Sequence, residues 1–237
     1  EHLEQDVMDM VWSIIGTAVH GVLEKGADAN HIVEQRLHAE LDSWHISGAV
    51  DLQIVREDGI EINDYKTVGA WGVMNEKKEW EEQLNIYAWL VERVKQQPVV
   101  SLKIIAIIRD WSRRDAETKH GYPATPVATL DIKLWPMEER EAFIRQRISA
   151  HSEARFAADT GTTLPPCTPA EMWEKETVYA IKKEGAVRAK SLHKSLEEAE
   201  EALDKAGKGF FIETREGERT RCKYYCPVSS YCQQYKA

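Results

Sequence analysis

Apolar residues recur every three or four positions near the start of the chain, at Val7, Met10, Val11, Ile14, Ile15, Ala18, Val22 and Leu23. That spacing predicts an amphipathic helix over 6–26, stopped at Gly26. From about Arg36 to Thr67 the period shortens to two. Residues 44–55 are β-rich, Asp58-Gly59 is a turn signal, and 60–67 alternate. This predicts a hairpin with Asp51 on one arm and Asp64 on the other. Helical spacing returns over 75–97 through Trp80, Leu84, Tyr87, Leu90 and Val91, and Pro98 ends it. The β-branched run 99–109 reads as a buried strand. Residues 113–126 read as a loop, 130–134 as a strand, and Pro136 opens a helix to about Ala158. After a connector at 161–166, segments 169–190 and 196–206 read as helices, followed by a short strand and an aromatic, cysteine-rich tail. The order predicts an α/β core over 1–160 and a helical appendage over 161–237 whose tail packs on the core.

Composition narrows this picture without changing it. Of 237 residues, 43% are hydrophobic and 30% charged, a balance that disfavours disorder, collagen and coiled coil. No apolar run approaches the roughly 20 residues that span a bilayer. Residues 1–8 lack a basic-then-apolar signal pattern. The net charge of −9 disfavours a protein that passively coats nucleic acid. It leaves open an enzyme that gathers carboxylates around metal ions and needs only a local basic track.

The hairpin carries the sharpest chemistry. Gly48-Ala49-Val50-Asp51 is followed by Asn63-Asp64-Tyr65-Lys66-Thr67. Asp64 and Lys66, two apart on a strand, share a face, and the hairpin can bring Asp51 beside them. Two adjacent carboxylates make a hard oxygen site suited to Mg²⁺ or Mn²⁺. A neighbouring lysine can orient a water or stabilise charge on a phosphoryl oxygen. On the first helix, Gly16, His20 and Glu24 lie four apart on one stripe. His20 could supply a nitrogen ligand, and Glu24 could hold a water, a lysine or a second ion. On the later helix, Gln83 and Tyr87 share a face. Gln83 could hold the lysine or a phosphate, and Tyr87 could shape a strand groove. Each piece also has a plain structural reading: a solvent-facing hairpin, a packed histidine, a tyrosine at the edge of the core.

Taken in order, Gly16, His20 and Glu24; Gly48 and Asp51; Asp64, Lys66 and Thr67; and Gln83 and Tyr87 resemble the RecB-like branch of the PD-(D/E)XK nuclease superfamily. The resemblance runs from about residue 12 to residue 90. It implies a restriction-endonuclease-like αβββαβ core, with metal ligation by His20, Asp51, Asp64 and the backbone carbonyl of Tyr65. It implies that Lys66 is the catalytic lysine, with Gln83 and Tyr87 lining the site. It also implies hydrolysis of DNA phosphodiesters to a 5′-phosphate, with one or two Mg²⁺ or Mn²⁺ ions.

Cys222, Cys226 and Cys232 crowd the tail, and Cys167 could supply a fourth thiolate. Four thiolates suit Zn²⁺ or an iron–sulfur cluster, and such a cluster in a chain otherwise poor in cysteine points to a reducing compartment. The plan resembles Cas4-like nucleases, phage-encoded ones included, which tie a cysteine trio and a distant cysteine around a [4Fe–4S] cluster. Here the trio begins Cys-x₃-Cys rather than Cys-x₂-Cys, and Cys167 follows the core. The resemblance puts [4Fe–4S] ahead of Zn²⁺, with a structural role.

Positive charge gathers at Lys182, Lys183, Arg188, Lys190 and Lys194, and again at Arg215, Arg219, Arg221 and Lys223 among Tyr224, Tyr225 and Tyr231. That mixture suits a single-stranded backbone with stacked bases, although charge runs are also solvated faces. Trp173 reads as core. The expectation is a cytoplasmic exonuclease of a bacterial or phage-infected cell, acting on DNA ends or single strands with a recombination, replication or repair partner. Its rivals are a Cas4-type nuclease of CRISPR adaptation, a non-catalytic DNA-binding module, and a zinc-dependent transcription factor built on the tail. The last leaves the hairpin and both helix motifs unexplained.

Overall fold

The structure is a computed structural model. It describes residues 7–26, 28–75 and 77–236, with only the backbone at Val7, Met8, Asp9 and Glu24. The side chain of Glu24 therefore lies outside the described residues. The chain forms two compact units, one ending at Phe156 and one beginning at Ala157.

In the first unit, α1 (Val7–Leu23) leads into a long antiparallel pair, β1 (His31–Leu41) and β2 (Trp44–Val55), and then β3 (Ile60–Val68). The short α2 (Ala70–Met74) and α3 (Lys78–Lys95) connect β3 to β4 (Val99–Ile108). After α4 (Arg113–Thr118) come β5 (Val127–Ile132) and α5 (Met137–Thr160). The five strands stand in the order β1-β2-β3-β4-β5. The sheet is antiparallel except between β3 and β4, where Asp64 pairs with Ile104 in parallel. Two parallel neighbours need a crossover, and α3 provides it. The αβββαβ order is therefore present. The segment read as loop 113–126 contains α4, capped where Ser112 Oγ accepts the Asp115 N–H.

The α3 periodicity buries Trp80, Leu84, Ala88, Trp89, Leu90 and Val91 against Val50, Ile60, Ile62, Leu102 and Ile104. The helix ends at Gln96, whose backbone is left-handed and whose N–H returns to the Glu92 carbonyl. Buried Asn85 ties the far end of the sheet to this core: its Nδ2 donates to the Lys133 carbonyl at 2.9 Å and its Oδ1 accepts from Trp135 N at 2.8 Å. By contrast, the apolar stripe of α1 is not core, since Ile14 is 53% and Val22 69% exposed. Helical spacing marks a helix correctly here without saying what covers it.

The second unit departs from the helical appendage predicted above. Segment 169–190 holds β6 (Glu174–Lys175) and β7 (Val178–Lys183), not a helix. β7 is the centre of a three-stranded antiparallel sheet with β8 (Ser191–His193) and β9 (Phe210–Arg215). Across it runs α6 (Leu196–Ala206), capped by Ser195, with Ala199 buried beside buried Ala180 and Ile181. β10 (Glu218–Arg219) pairs with β6, and α7 (Thr220–Tyr224) and α8 (Gln233–Lys236) follow. The helical reading failed because charged residues fell at helical spacing around a short β-prone core, Val178-Tyr179-Ala180-Ile181, and sheet burial decided the outcome.

Candidate active site

The site forms where β2 and β3 part. Their ladder runs from Val55–Ile60 to Leu52–Asn63 and goes no further. Past that point the Tyr65 N–H lacks a β2 carbonyl, and the carboxylate of Asp51 takes its place: Oδ2 accepts the N–H at 2.9 Å. The Tyr65 carbonyl faces His20 near the end of α1, with Nε2 3.1 Å from the oxygen. The other ring nitrogen, Nδ1, lies 3.3 Å from Glu34 Oε1 and 3.7 Å from Asp51 Oδ2. His20, Glu34 and Asp51 thus offer ligand atoms within 4.8 Å of one another.

Glu34 escaped the sequence reading. It lies on β1 opposite Asp51, between the pairs Val33–Leu52 and Gln35–Val50. Its φ of +47° is left-handed, which costs a non-glycine residue about 1–2 kcal/mol. No spacing rule singles it out; only the register of β1 on β2 does.

On the other side of the parting, Lys66 Nζ lies 2.6 Å from Asp64 Oδ2 and donates to Gln83 Oε1 at 3.0 Å. Gln83 Nε2 in turn donates to the Tyr87 hydroxyl at 2.8 Å. The four-residue spacing on α3 thus makes a chain from Tyr87 to Asp64. Gly48 makes room for it, because a Cβ there would sit 2.6 Å from the Tyr87 ring and 3.2 Å from Leu90. Gly48→Ala should therefore destabilise the fold by about 1–3 kcal/mol through overpacking, measured by urea unfolding. An unchanged midpoint would mean that the ring yields freely.

Asp64 is 1% and Asp51 8% exposed. Burial pushes the Asp64 carboxyl up to about 6; Lys66 opposes that rise and the Asp51 charge adds to it. Burial also raises Asp51, against the Tyr65 N–H and His20. Asp64 Oδ2 has no well-aligned hydrogen bond despite its contact with Lys66. Two desolvated carboxylates, an imidazole and a backbone carbonyl form a hard oxygen and nitrogen donor set. Such a set fits a divalent cation, which would neutralise charge that burial otherwise disfavours.

A family model of the PD-(D/E)XK nuclease superfamily matches residues 22–233. The chain belongs to the PD-(D/E)XK nuclease superfamily. Members are generally nucleases that act on DNA and typically use divalent metal ions such as Mg²⁺. Its mixed α/β unit with a mostly antiparallel sheet agrees with the fold of this superfamily. Among solved structures, this nuclease-superfamily chain is similar to the crystal structure of SSO0001, at 16% identity and a TM-score of 0.42. That likeness covers 58% of this chain and 60% of the other. A search of curated proteins gives no match. Among the described residues no helix is long and apolar enough to cross a membrane.

In the second unit the four cysteines are free thiols. The Cys167 thiol is pushed up first by burial, then by Glu171 and by Cys222, Cys232 and Cys226. Gln234 on α8 holds Cys167 from both sides, accepting its N–H and donating to its carbonyl, each at 2.8 Å. No three of these sulfurs lie within 4.8 Å of one another.

The basic residues of this unit are divided. Lys182 is paired with Glu213 at 2.7 Å, and Lys190 lies 4.9 Å above the Phe210 ring. Lys183, Arg188 and Lys194 are exposed. They occupy the end of β7, a turn and the approach to α6, rather than one helical face. Trp173, read as core, is 46% exposed and stacks beside Tyr225 and Arg221.

Proposed function

We propose that this chain is a divalent-metal-dependent deoxyribonuclease of the RecB-like type, an exonuclease acting on DNA ends or single strands. Recombination, replication or repair in the cytoplasm of a bacterial or phage-infected cell is the setting that suits it. The supporting observation is the meeting of Asp51, His20 and the Tyr65 carbonyl at the β2–β3 parting, with buried Asp64, held by Lys66, near enough to feel the charges of Asp51 and His20. Those four groups would hold one or two Mg²⁺ or Mn²⁺ ions. When bound, the metal supplies Lewis-acid charge to the phosphoryl group.

The residues of the chain do the positioning. Gln83 takes one N–H of the Lys66 ammonium and so sets its direction. Lys66 then presents the rest of its charge to the water and the phosphate oxygen where negative charge develops. Tyr87 holds Gln83 in the orientation that accepts from Lys66. In the second unit, Cys167, Cys222, Cys226 and Cys232 would hold a [4Fe–4S] cluster, or alternatively a structural Zn²⁺, joining the tail to the segment that carries Cys167. Lys183, Arg188 and Lys194, with Lys182 and Lys190 beside them, would meet the DNA backbone.

The test uses anaerobically purified protein, assayed for iron, labile sulfide and zinc. It is given end-labelled linear single- and double-stranded DNA and a closed circle, with Mg²⁺, Mn²⁺ or EDTA. The expected result is metal-dependent loss of label from linear DNA, spared circles, and no loss with Asp64→Ala. Cleavage of the closed circle would replace the exonuclease with an endonuclease. A folded, metal-loaded protein that cuts nothing would end the enzyme reading.

A further inference from the structure

The metal site proposed above uses His20 as a ligand, and the surroundings of that ring determine which nitrogen is available. The Tyr65 carbonyl oxygen, 3.1 Å from Nε2, has no proton to give. Glu34 Oε1, 3.3 Å from Nδ1, is equally an acceptor when ionised. An imidazole with its single proton on Nδ1 satisfies Glu34 and leaves the Nε2 lone pair beside the carbonyl oxygen. In the metal-free ring that contact is bridged by a proton on Nε2; when a cation takes the Nε2 lone pair instead, the proton left on Nδ1 satisfies Glu34. The opposite tautomer would aim the Nδ1 lone pair at Glu34 and at Asp51 Oδ2, 3.7 Å away.

We propose that Glu34 is a positioning residue of the metal centre: its carboxylate accepts the Nδ1–H of His20, and so Nε2 is presented to the cation beside the Tyr65 carbonyl. The inference rests on the proposed metal site and assigns Glu34, whose carboxylate lies within reach of the same space, to the ring rather than to the cation. Its position is set by the sheet. Glu34 lies opposite Asp51 in a ladder that keeps register on both sides, and its left-handed backbone interrupts the pairing only there. The carboxylate is partly solvated, while Asp51 beside it is buried. Asp51 is already engaged by the Tyr65 N–H, so Glu34 is the carboxylate free to serve the ring. Metal-bound histidines commonly give their second N–H to a carboxylate, and losing that partner weakens metal binding roughly 10- to 100-fold.

The experiment titrates Mn²⁺ into the metal-free full chain by calorimetry. It then records pulsed electron paramagnetic resonance of the bound Mn²⁺, which detects a directly bound imidazole nitrogen. Glu34→Gly removes the acceptor while fitting the left-handed backbone, so the fold is retained. Glu34→Gln keeps an acceptor oxygen without the charge. His20→Ala and Asp64→Asn serve as references. The expected result is a roughly 10- to 100-fold weaker Mn²⁺ affinity and a diminished nitrogen coupling in Glu34→Gly. Glu34→Gln should keep the coupling, with affinity within severalfold of the parent.

Parent-like affinity and coupling in Glu34→Gly would overturn the assignment. So would equal weakening in Glu34→Gln and Glu34→Gly with the coupling intact in both, because Glu34 would then act as a direct charged ligand. Failure of the underlying metal site looks different: His20→Ala and Asp64→Asn would bind Mn²⁺ as tightly as the parent.

Discussion

Lys66→Ala should lower the rate of DNA cleavage ~100- to 1,000-fold under single-turnover conditions while leaving Mn²⁺ affinity unchanged or tighter. The two effects separate because Lys66 touches Asp64 at 2.6 Å but belongs to the cationic side of the site. Its ammonium competes with a metal for the charge of Asp64, so removing it does not weaken the hold on a cation. It does remove the one charged donor that Gln83 directs into the parting of β2 and β3. DNA affinity should change little, since one phosphate contact among several is lost. The measurement pairs quenched-flow cleavage with Mn²⁺ calorimetry on the same preparations. Parallel loss of rate and metal would make Lys66 a structural support of the metal site. An unchanged rate would remove it from the chemistry.

Much of the first unit was legible because its patterns are local. The alternation at 60–67, the Asp58-Gly59 turn and the i, i+4 run of α3 are each written within a dozen residues, and they appear as β3, the β2–β3 hairpin and α3. The spacing that pairs Gln83 with Tyr87 on one face of α3 is local as well, whereas Gln83 meets Lys66 only because α3 packs on the sheet. Glu34 was not legible because its position depends on a register over some twenty residues of β1 and β2 and on a backbone kink that no propensity foretells. The parting of β2 from β3 was missed for the same reason. A simple hairpin would pair Asp51 with Asp64, whereas the ladder stops one pair earlier and Asp51 turns to a backbone N–H. In the second unit the error was of period. Short strands of three to six residues, such as β7 and β8, carry too few positions for alternation to outweigh a charged background.

Asp64→Asn should make the metal-free protein more stable near neutral pH while abolishing cleavage. The buried Asp64 carboxyl titrates near 6 in the folded chain, against an ordinary value of 3.8. The folded state therefore keeps a proton that the unfolded chain has already released. Between about pH 4 and 6 folding takes up a proton, so stability falls as pH rises through that window. Above it the whole cost of ionising a buried carboxyl is present, about 3 kcal/mol. Asparagine carries no charge and avoids that cost, but burying its amide N–H without a well-placed acceptor would take back about 1 kcal/mol or more. The net expectation is a gain of about 1–2 kcal/mol for Asp64→Asn in EDTA near pH 7.5, shrinking to zero or below near pH 4.5. Glu61 behaves oppositely. Burial raises it, but Lys103, Ser101, Asn63 and Arg56 together bring it down to about 2, so its stabilisation is lost only as pH falls below 4.5 toward 2. That contribution is common to both proteins and cancels in the difference. Mn²⁺ should reverse the ranking near neutrality, since a cation offsets the Asp64 charge and binds only where it is present. Urea unfolding of both proteins across this pH range, with EDTA and with Mn²⁺, measures all of it. A stability difference that does not move with pH, or Mn²⁺ that stabilises Asp64→Asn as much as the parent, would show that Asp64 is not the charge around which the site is built.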